Sequence, residues 1–401
     1  MNTSGFIIDA VRTPIGNLGG KLSKIRADDL AAHTISSLIA RHNFDPSQIN
    51  EVILGCANQA GEDNRNIARM ASLLAGVPFS VPGETINCLC ASGMSAVINA
   101  HRAIKSGDGN LFIAGGVEHM TRAPWIISKA SRSFGRDSEL MDSSFGWRFI
   151  NPKMQDLYGT DSMGQTAENL AKKFNISRND QDQFAYNSQR KAKSAQESGI
   201  FKKEIVPVEV IQDKKSSIIF DTDEFMRPKT TFEVLNKLRA AFKKDGTVTA
   251  GSSSGLNDGS ASMLIASEKA IDKFSFSPIA RIISSAAVGV EPRFMGIGPV
   301  MAARKALSKA NLSMKDINVI EINEAFSAQV LACIREWGLS DDDERINPNG
   351  GAIALGHPLG MTGTRIIQTA ALELKRTNEQ YALISMCVGV GQGYAVIIER
   401  I

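Results

Sequence analysis

The segment Phe44-Asp45-Pro46-Ser47-Gln48-Ile49-Asn50-Glu51-Val52-Ile53 has a counterpart far down the chain, Leu312-Ser313-Met314-Lys315-Asp316-Ile317-Asn318-Val319-Ile320. The offset is 317 − 49 = 268 residues. Each copy follows a helix-like stretch (Ile35 to Arg41; Ala302 to Ala310) and runs into an apolar strand. Further on, Ser92 to Ile104 and Met361 to Leu374 read as helices at nearly the same offset. Each leads to a strand ending in glycine, Ala114-Gly115-Gly116 in one case and Cys387-Val388-Gly389 in the other. Matches that recur in order point to duplication.

Outward from these copies, short apolar runs alternate with amphipathic stretches. Phe6-Ile7-Ile8, Val52-Ile53-Leu54 and Leu111-Phe112-Ile113-Ala114 read as buried strands, with a helix over Ala31 to Ala40. That alternation predicts α/β layers. The stretch from His119 to Val248 differs: it holds loop-like Ser131 to Gly135, one amphipathic helix over Asp180 to Gly199, and an acidic loop near Asp221 to Glu224. It reads as an insertion carried by the first half. The expected division is 1–118 plus 249–271 for the first half, 119–248 for the insertion and 272–401 for the second half, with a linker near Ile271 to Pro278.

A chain of 401 residues accommodates such a plan. Its net charge of +3 does not point to nucleic acid. No apolar run approaches the ~20 residues that span a bilayer, and no secretory signal is visible near Met1 to Gly16. Five cysteines without a regular framework suit a reducing cytoplasm. Those five, with five histidines, are the whole supply of thiols and imidazoles.

Cys90 stands among small residues in Asn87-Cys88-Leu89-Cys90-Ala91-Ser92-Gly93, just before a helix. The positive end of the helix dipole favours thiolate there; locally, a nucleophile and a buried structural cysteine are both open. Cys88-x-Cys90 is too short a spacing for zinc, and no second cysteine pair accompanies it, so no metal is expected. His357, in Gly350-Gly351-Ala352-Ile353-Ala354-Leu355-Gly356-His357-Pro358, has glycines around it that admit a ligand. It falls 357 − 90 = 267 residues after Cys90, so two copies meeting face to face would bring the pair together. Cys387 ends an apparent strand, where open α/β sheets place ligands. The glycine run behind it leads into the strand Tyr394 to Ile398, not a helix, which excludes a dinucleotide fingerprint.

Cys90 in Asn-x-x-Cys-x-Ser-Gly, Asn323-Glu324-Ala325-Phe326, Gly356-His357-Pro358 and Cys387-x-Gly389 together resemble the thiolases, in the family's order and over essentially the whole chain. The resemblance implies duplicated βαβαβαββ halves in five αβαβα layers, with an inserted loop domain. It implies Cys90 as the nucleophile that accepts the acyl group, His357 as the base that takes its proton, and Cys387 as the second acid/base. An enolate oxygen would rest on His357 and a water held by Asn323. A second oxyanion hole would use the amides of Cys90 and Gly389. Coenzyme A, as co-substrate and not as a resident cofactor, would meet Arg227 and Ser254, and Met163 would line the acyl pocket. Ser162 stands where many biosynthetic thiolases have His, and Cys88 where Arg or Lys is frequent.

The wording of Gly146 to Pro152, Asn347 to Gly360 and Met386 to Gly393 most resembles thiolases acting on 3-oxoadipyl-CoA. That substrate's distal carboxylate calls for a cation, and Arg148 is the expected one. The alternatives are an acetoacetyl-CoA-forming acetyltransferase and a fatty-acid 3-ketoacyl-CoA thiolase. Cys387 speaks against a decarboxylating ketosynthase, and the retained Cys90 and His357 against a non-catalytic CoA- or lipid-binding relative. By resemblance, a homotetramer built from dimers is expected, with no nucleic-acid or membrane partner.

Overall fold

The computed structural model describes residues 4–401. Its strands form one hydrogen-bonded path in the order Val319–Ile322, Tyr381–Val388, Gln392–Arg400, Ala280–Gly289, Phe6–Arg12, Asn257–Ala266, Leu111–His119, Glu51–Gly55, Gly83–Ile86. Duplication is visible in the directions. Glu51–Gly55 runs parallel to Leu111–His119, which is antiparallel to Asn257–Ala266, itself antiparallel to Phe6–Arg12. Val319–Ile322, Tyr381–Val388, Gln392–Arg400 and Ala280–Gly289 repeat that order and those directions. The two sets join through Phe6 opposite Arg281 and Ile7 opposite Ala280.

Parallel neighbours need a crossover, and helices supply it in both halves. Ile67–Leu74 and Ser92–Ser106 lie between the first parallel pair in sequence; Ser327–Glu336 and Leu359–Thr377 lie between the second. The second helix of each crossover turns inward. Met94, Val97, Ile366 and Ala370 pack together with Ile53 and Phe112 from one half and Ile384 and Val396 from the other. Ala27–Ala40 and Ile67–Leu74 cover the outside of the first half through Ile35, Leu38 and Ala71. Gly298–Ala310 and Ser327–Glu336 cover the second through Ala303, Leu307 and Leu331. The result is the five-layered αβαβα arrangement that the sequence resemblance implies.

Three local readings are corrected. The first-half strand does not stop at its glycines but runs on to His119. A Cβ on Gly116 would lie 1.9 Å from the Gly360 carbonyl oxygen, so this glycine marks a close backbone approach inside a strand. The linker expected from Ile271 overlaps a short helix, Glu268–Phe274, capped by the Ser267 side chain. The long helix of the insertion is Arg178–Glu197, begun two residues earlier than read. Ser177 and Asp180 form a reciprocal capping box there, and Gly199 turns left-handed at φ +75° just beyond the other end.

Between residues 119 and 248 the chain adds two small hairpins, Trp125–Ile127 with Leu140–Asp142 and Val208–Asp213 with Ser216–Phe220. It also adds the helices Pro152–Tyr158, Met163–Lys173, Arg178–Glu197 and Phe232–Asn236. Strand Asn257–Ala266 then sits between Phe6–Arg12 and Leu111–His119. No described helix is long and apolar enough to cross a membrane.

Candidate active site

Cys90 occupies a single tight turn, Leu89–Ala91, directly ahead of Ser92–Ser106. His357 stands two residues ahead of Leu359–Thr377. These are the paired central helices, and glycine lets them touch. A Cβ on Gly93 would lie 2.4 Å from the Gly360 carbonyl oxygen, and one on Gly363 would lie 2.3 Å from the Met94 nitrogen. With no side chain to hold them apart, the two helix starts draw Cys90 and His357 into one cavity of about 670 Å³. Cys387, the penultimate residue of strand Tyr381–Val388, opens onto the same cavity.

Met163, Arg227 and Ser254 also line that cavity, with Phe145, Phe242 and Phe326 giving it an apolar wall. The Arg227 guanidinium stands 6.0 Å from the centre of the Phe225 ring, and its backbone amide donates to Gln189 Oε1 at 2.9 Å. Ser254 is fixed by its amide, which donates to the Ala325 carbonyl at 3.0 Å. Arg148 does not line the cavity. Its guanidinium donates to the Ser143 carbonyl at 2.7 Å, and to the Asn58 carbonyl and Oδ1 at 3.3 and 2.8 Å. These partners are all neutral. The loop that carries Arg148 does reach the wall through Phe145, and Trp147 ties it to the Asp161 carbonyl, two residues before Met163.

Asn323 reaches the cavity through His357, with Nδ2 3.3 Å from His357 Nε2. Its amide donates to the Ser385 carbonyl in the strand that carries Cys387, and its Oδ1 is buried with no hydrogen-bond partner among the described residues. Glu324 beside it is buried and accepts from Ser188, Asn347 and the Ile353 amide, which fixes the loop leading to His357. Besides Asn323, two contacts hold His357. Its amide donates to Asn257 Oδ1 at 2.9 Å, and Nδ1 lies 2.7 Å from Thr362 Oγ1. The Thr362 hydroxyl donates to the Pro358 carbonyl at 2.7 Å, so its oxygen accepts from Nδ1–H. That network assigns the tautomer with the proton on Nδ1 and leaves Nε2 free to accept.

Burial governs the charges. It pushes the Cys90 thiol up to about 11, although the Gly389 and Cys90 amides that hydrogen-bond to its sulfur pull the other way. At Cys90 desolvation outweighs the helix dipole. Burial, with the positive charge of Arg365, takes His357 down to about 3. Burial also raises the Cys387 thiol well above its ordinary value, and the nearby Cys90 and Cys333 add to this. Burial thus favours the neutral form of both the thiol and the imidazole that open onto the cavity.

The thiolase N-terminal domain pattern matches residues 5–269, and the thiolase C-terminal domain pattern matches residues 276–400. This chain belongs to the thiolase family. It is 56% identical over 398 residues to the 3-oxoadipyl-CoA/3-oxo-5,6-dehydrosuberyl-CoA thiolase of Escherichia coli, covering 99% of both chains. It is 54% identical over 397 residues to a beta-ketoadipyl-CoA thiolase of Acinetobacter baylyi, again with 99% of each covered. Among solved structures, human mitochondrial 3-ketoacyl-CoA thiolase in complex with CoA superposes with a TM-score of 0.92 at 40% identity, covering 100% of this chain and 98% of that one.

Three residues that hold this thiolase site escaped sequence reading. Asn257 lies inside the Gly251 to Gly259 run but carries no chemical signature. Thr362 follows His357 by five residues, and only the structure turns it back onto the ring. Glu118 follows the strand glycines and accepts the Gly360 amide at 2.8 Å. The remaining histidines have contacts elsewhere: His33 with the Pro207 carbonyl, His42 with Asp9, His101 with the Gly5 amide and His119 with Asp258.

Proposed function

We propose that the chain cleaves 3-oxoadipyl-CoA with coenzyme A to succinyl-CoA and acetyl-CoA, through an acyl-enzyme on Cys90. The observation that carries this reading is the opening of Cys90, His357 and Cys387 onto a single apolar-walled cavity. The identities of 54–56% to relatives named for this substrate support the choice of acyl chain.

In this reading His357 Nε2 takes the Cys90 proton as the sulfur attacks the 3-keto carbonyl. The transfer accompanies substrate binding, because the resting pair is neutral. The tetrahedral oxyanion is received by the amides of Cys90 and Gly389, which already face the sulfur. Such a donor can contribute roughly 3–4 kcal/mol to the transition state. The bond between C2 and C3 then breaks, its electron pair passes to the acetyl-CoA enolate, and the Cys387 thiol protonates C2. The enolate oxygen rests on His357 and on a water accepted by Asn323, whose buried Oδ1 is unpartnered. Coenzyme A takes the succinyl group from Cys90 in the second half-reaction, and the reverse sequence is a Claisen condensation.

Arg227 and Ser254 hold the coenzyme and Met163 lines the acyl pocket; Arg148, turned onto Ser143 and Asn58 outside the cavity, would have to leave them to answer the distal carboxylate. The insertion 119–248 is the loop domain of a first half made of 1–118 and 249–271, facing a second half 272–401. The assembly is a cytoplasmic tetramer. Its support is the hairpin Trp125–Ile127 with Leu140–Asp142, which leaves Trp125 74%, Ile127 68% and Leu140 66% exposed, a face that a second copy would cover.

The test is CoA-dependent cleavage of acetoacetyl-CoA, a medium-chain 3-ketoacyl-CoA and 3-oxoadipyl-CoA. The highest kcat/KM falls on 3-oxoadipyl-CoA. A preference for either of the others replaces the substrate while leaving the chemistry in place.

A further inference from the structure

Glu118 is the penultimate residue of strand Leu111–His119 and is 1% exposed. Its Oε1 accepts the Asn58 amide at 3.0 Å; its Oε2 accepts the Ala57 amide at 3.0 Å and the Gly360 amide at 2.8 Å. The first two donors follow strand Glu51–Gly55 of its own half. The third belongs to the first turn of Leu359–Thr377, in the other half. Nearby contacts lead straight to the reacting groups: Asn87, three residues before Cys90, donates to the Ala57 carbonyl at 2.9 Å, and Gly360 is three residues beyond His357. Among the described residues Glu118 has no cation partner.

We propose that Glu118 is a positioning residue: its ionised carboxylate registers the His357 loop against the Cys90 half, and its protonation relaxes that register. The inference rests on the reading of Cys90 and His357 as the reacting pair. Ionised, the carboxylate gives all three amides charge-assisted hydrogen bonds; protonated, it accepts from them more weakly and one oxygen becomes a donor.

The groups that face Glu118 are Asp63 and Cys56 from the segment after Glu51–Gly55, and Cys90 from the turn before Ser92–Ser106. The Cys56 sulfur and carboxylate oxygens of Asp63 and Glu118 lie within 4.8 Å of one another, all three residues buried. From Leu359–Thr377 comes the Gly360 amide. The Asp63 carboxylate beside Glu118 disfavours the ionised form of Glu118. Burial, opposed by the three amides and assisted by Asp63, raises Glu118 to about 7. Cys90 at about 11 and His357 at about 3 do not change state near that pH.

The sign differs between activity and stability. A carboxyl whose folded value lies above its unfolded value contributes stability that is present at low pH and is lost as pH rises through about 7. Acylation of Cys90 runs the other way and rises over that window.

The test uses the whole enzyme and its single-turnover acylation by 3-ketoacyl-CoA without free coenzyme A, from pH 5.5 to 9 (a range about the Glu118 value of about 7), alongside Tm over the same range. Wild type shows an acid limb near pH 7 in acylation and a falling Tm. Glu118→Gln shows neither limb nor fall, with acylation at alkaline pH reduced by about tenfold or more. Asp63→Asn, which removes the facing charge, moves the wild-type limb to lower pH whether or not the Gln variant folds. An acid limb that persists in Glu118→Gln, or stays in place in Asp63→Asn, overturns the proposal. If wild type takes no acyl group, the reading of the reacting pair fails instead, and the Tm profiles of wild type and Asp63→Asn alone decide on Glu118: unchanged profiles between the two overturn it.

Discussion

His357 Nδ1 and Thr362 Oγ1 are 2.7 Å apart, and the threonine hydroxyl gives its own proton to the Pro358 carbonyl. The imidazole is thereby locked with Nε2 bare and aimed at Asn323 and the cavity. Without the hydroxyl, the buried Nδ1–H loses its acceptor and the other tautomer competes. Thr362→Val is expected to lower kcat by about tenfold to a hundredfold, the range for an unsatisfied buried group of roughly 1–3 kcal/mol. KM changes little, and Thr362→Ser restores the rate. Steady-state kinetics of the three proteins check this; equal kcat for Val and Ser removes the tautomer argument.

The Cys90 thiol titrates at about 11, pushed there by burial. Its alkylation by iodoacetamide therefore climbs by about tenfold per pH unit between neutrality and alkaline pH, without levelling near 8. Peptide mapping of the modified site follows the reaction, with Cys90→Ser as the blank. A plateau at neutral pH points to a preformed thiolate and contradicts the neutral resting pair.

Gly116 and Gly360 bring the two halves into backbone contact, and a Cβ on Gly116 would stand 1.9 Å from the Gly360 oxygen. No flexible side-chain end can yield there. Gly116→Ala is expected to destabilise the fold by about 1–3 kcal/mol or more and to lower acylation through the displaced His357 loop. Denaturant midpoints and acylation rates measure both; an unaltered midpoint contradicts the close approach.

Arg148 donates to neutral partners in the structure, so its charge is uncompensated there. If that charge answers the distal carboxylate, Arg148→Ala lowers kcat/KM for 3-oxoadipyl-CoA by about tenfold more than for acetoacetyl-CoA. Equal losses on the two substrates assign Arg148 to loop structure alone.

Much of the architecture is legible in the sequence, because Ile49 and Ile317 sit at equivalent points of two like halves and hydrophobic spacing is local. Helix ends were harder to read: Ser177 caps three residues ahead of Asp180, where periodicity is faint. The polar content of Leu359–Thr377 conceals that Thr362, Arg365 and Gln368 are buried in the central layer. Cys90, His357 and Cys387 stand in motifs that announce them. Glu118, Asn257 and Thr362 do not, because their roles exist only once distant backbone amides and one imidazole are folded against them. The protonation of Cys90 is hidden in the sequence for a related reason: a dipole can be inferred from the following helix, but desolvation depends on what the other half places over the sulfur.

The most direct test is intact-protein mass analysis, with peptide mapping, after 3-oxoadipyl-CoA is mixed with enzyme in the absence of free coenzyme A. The account predicts a succinyl group on Cys90 and an equal yield of acetyl-CoA. An acyl group on Cys387, or acetyl-CoA release with Cys90 unmodified, contradicts it.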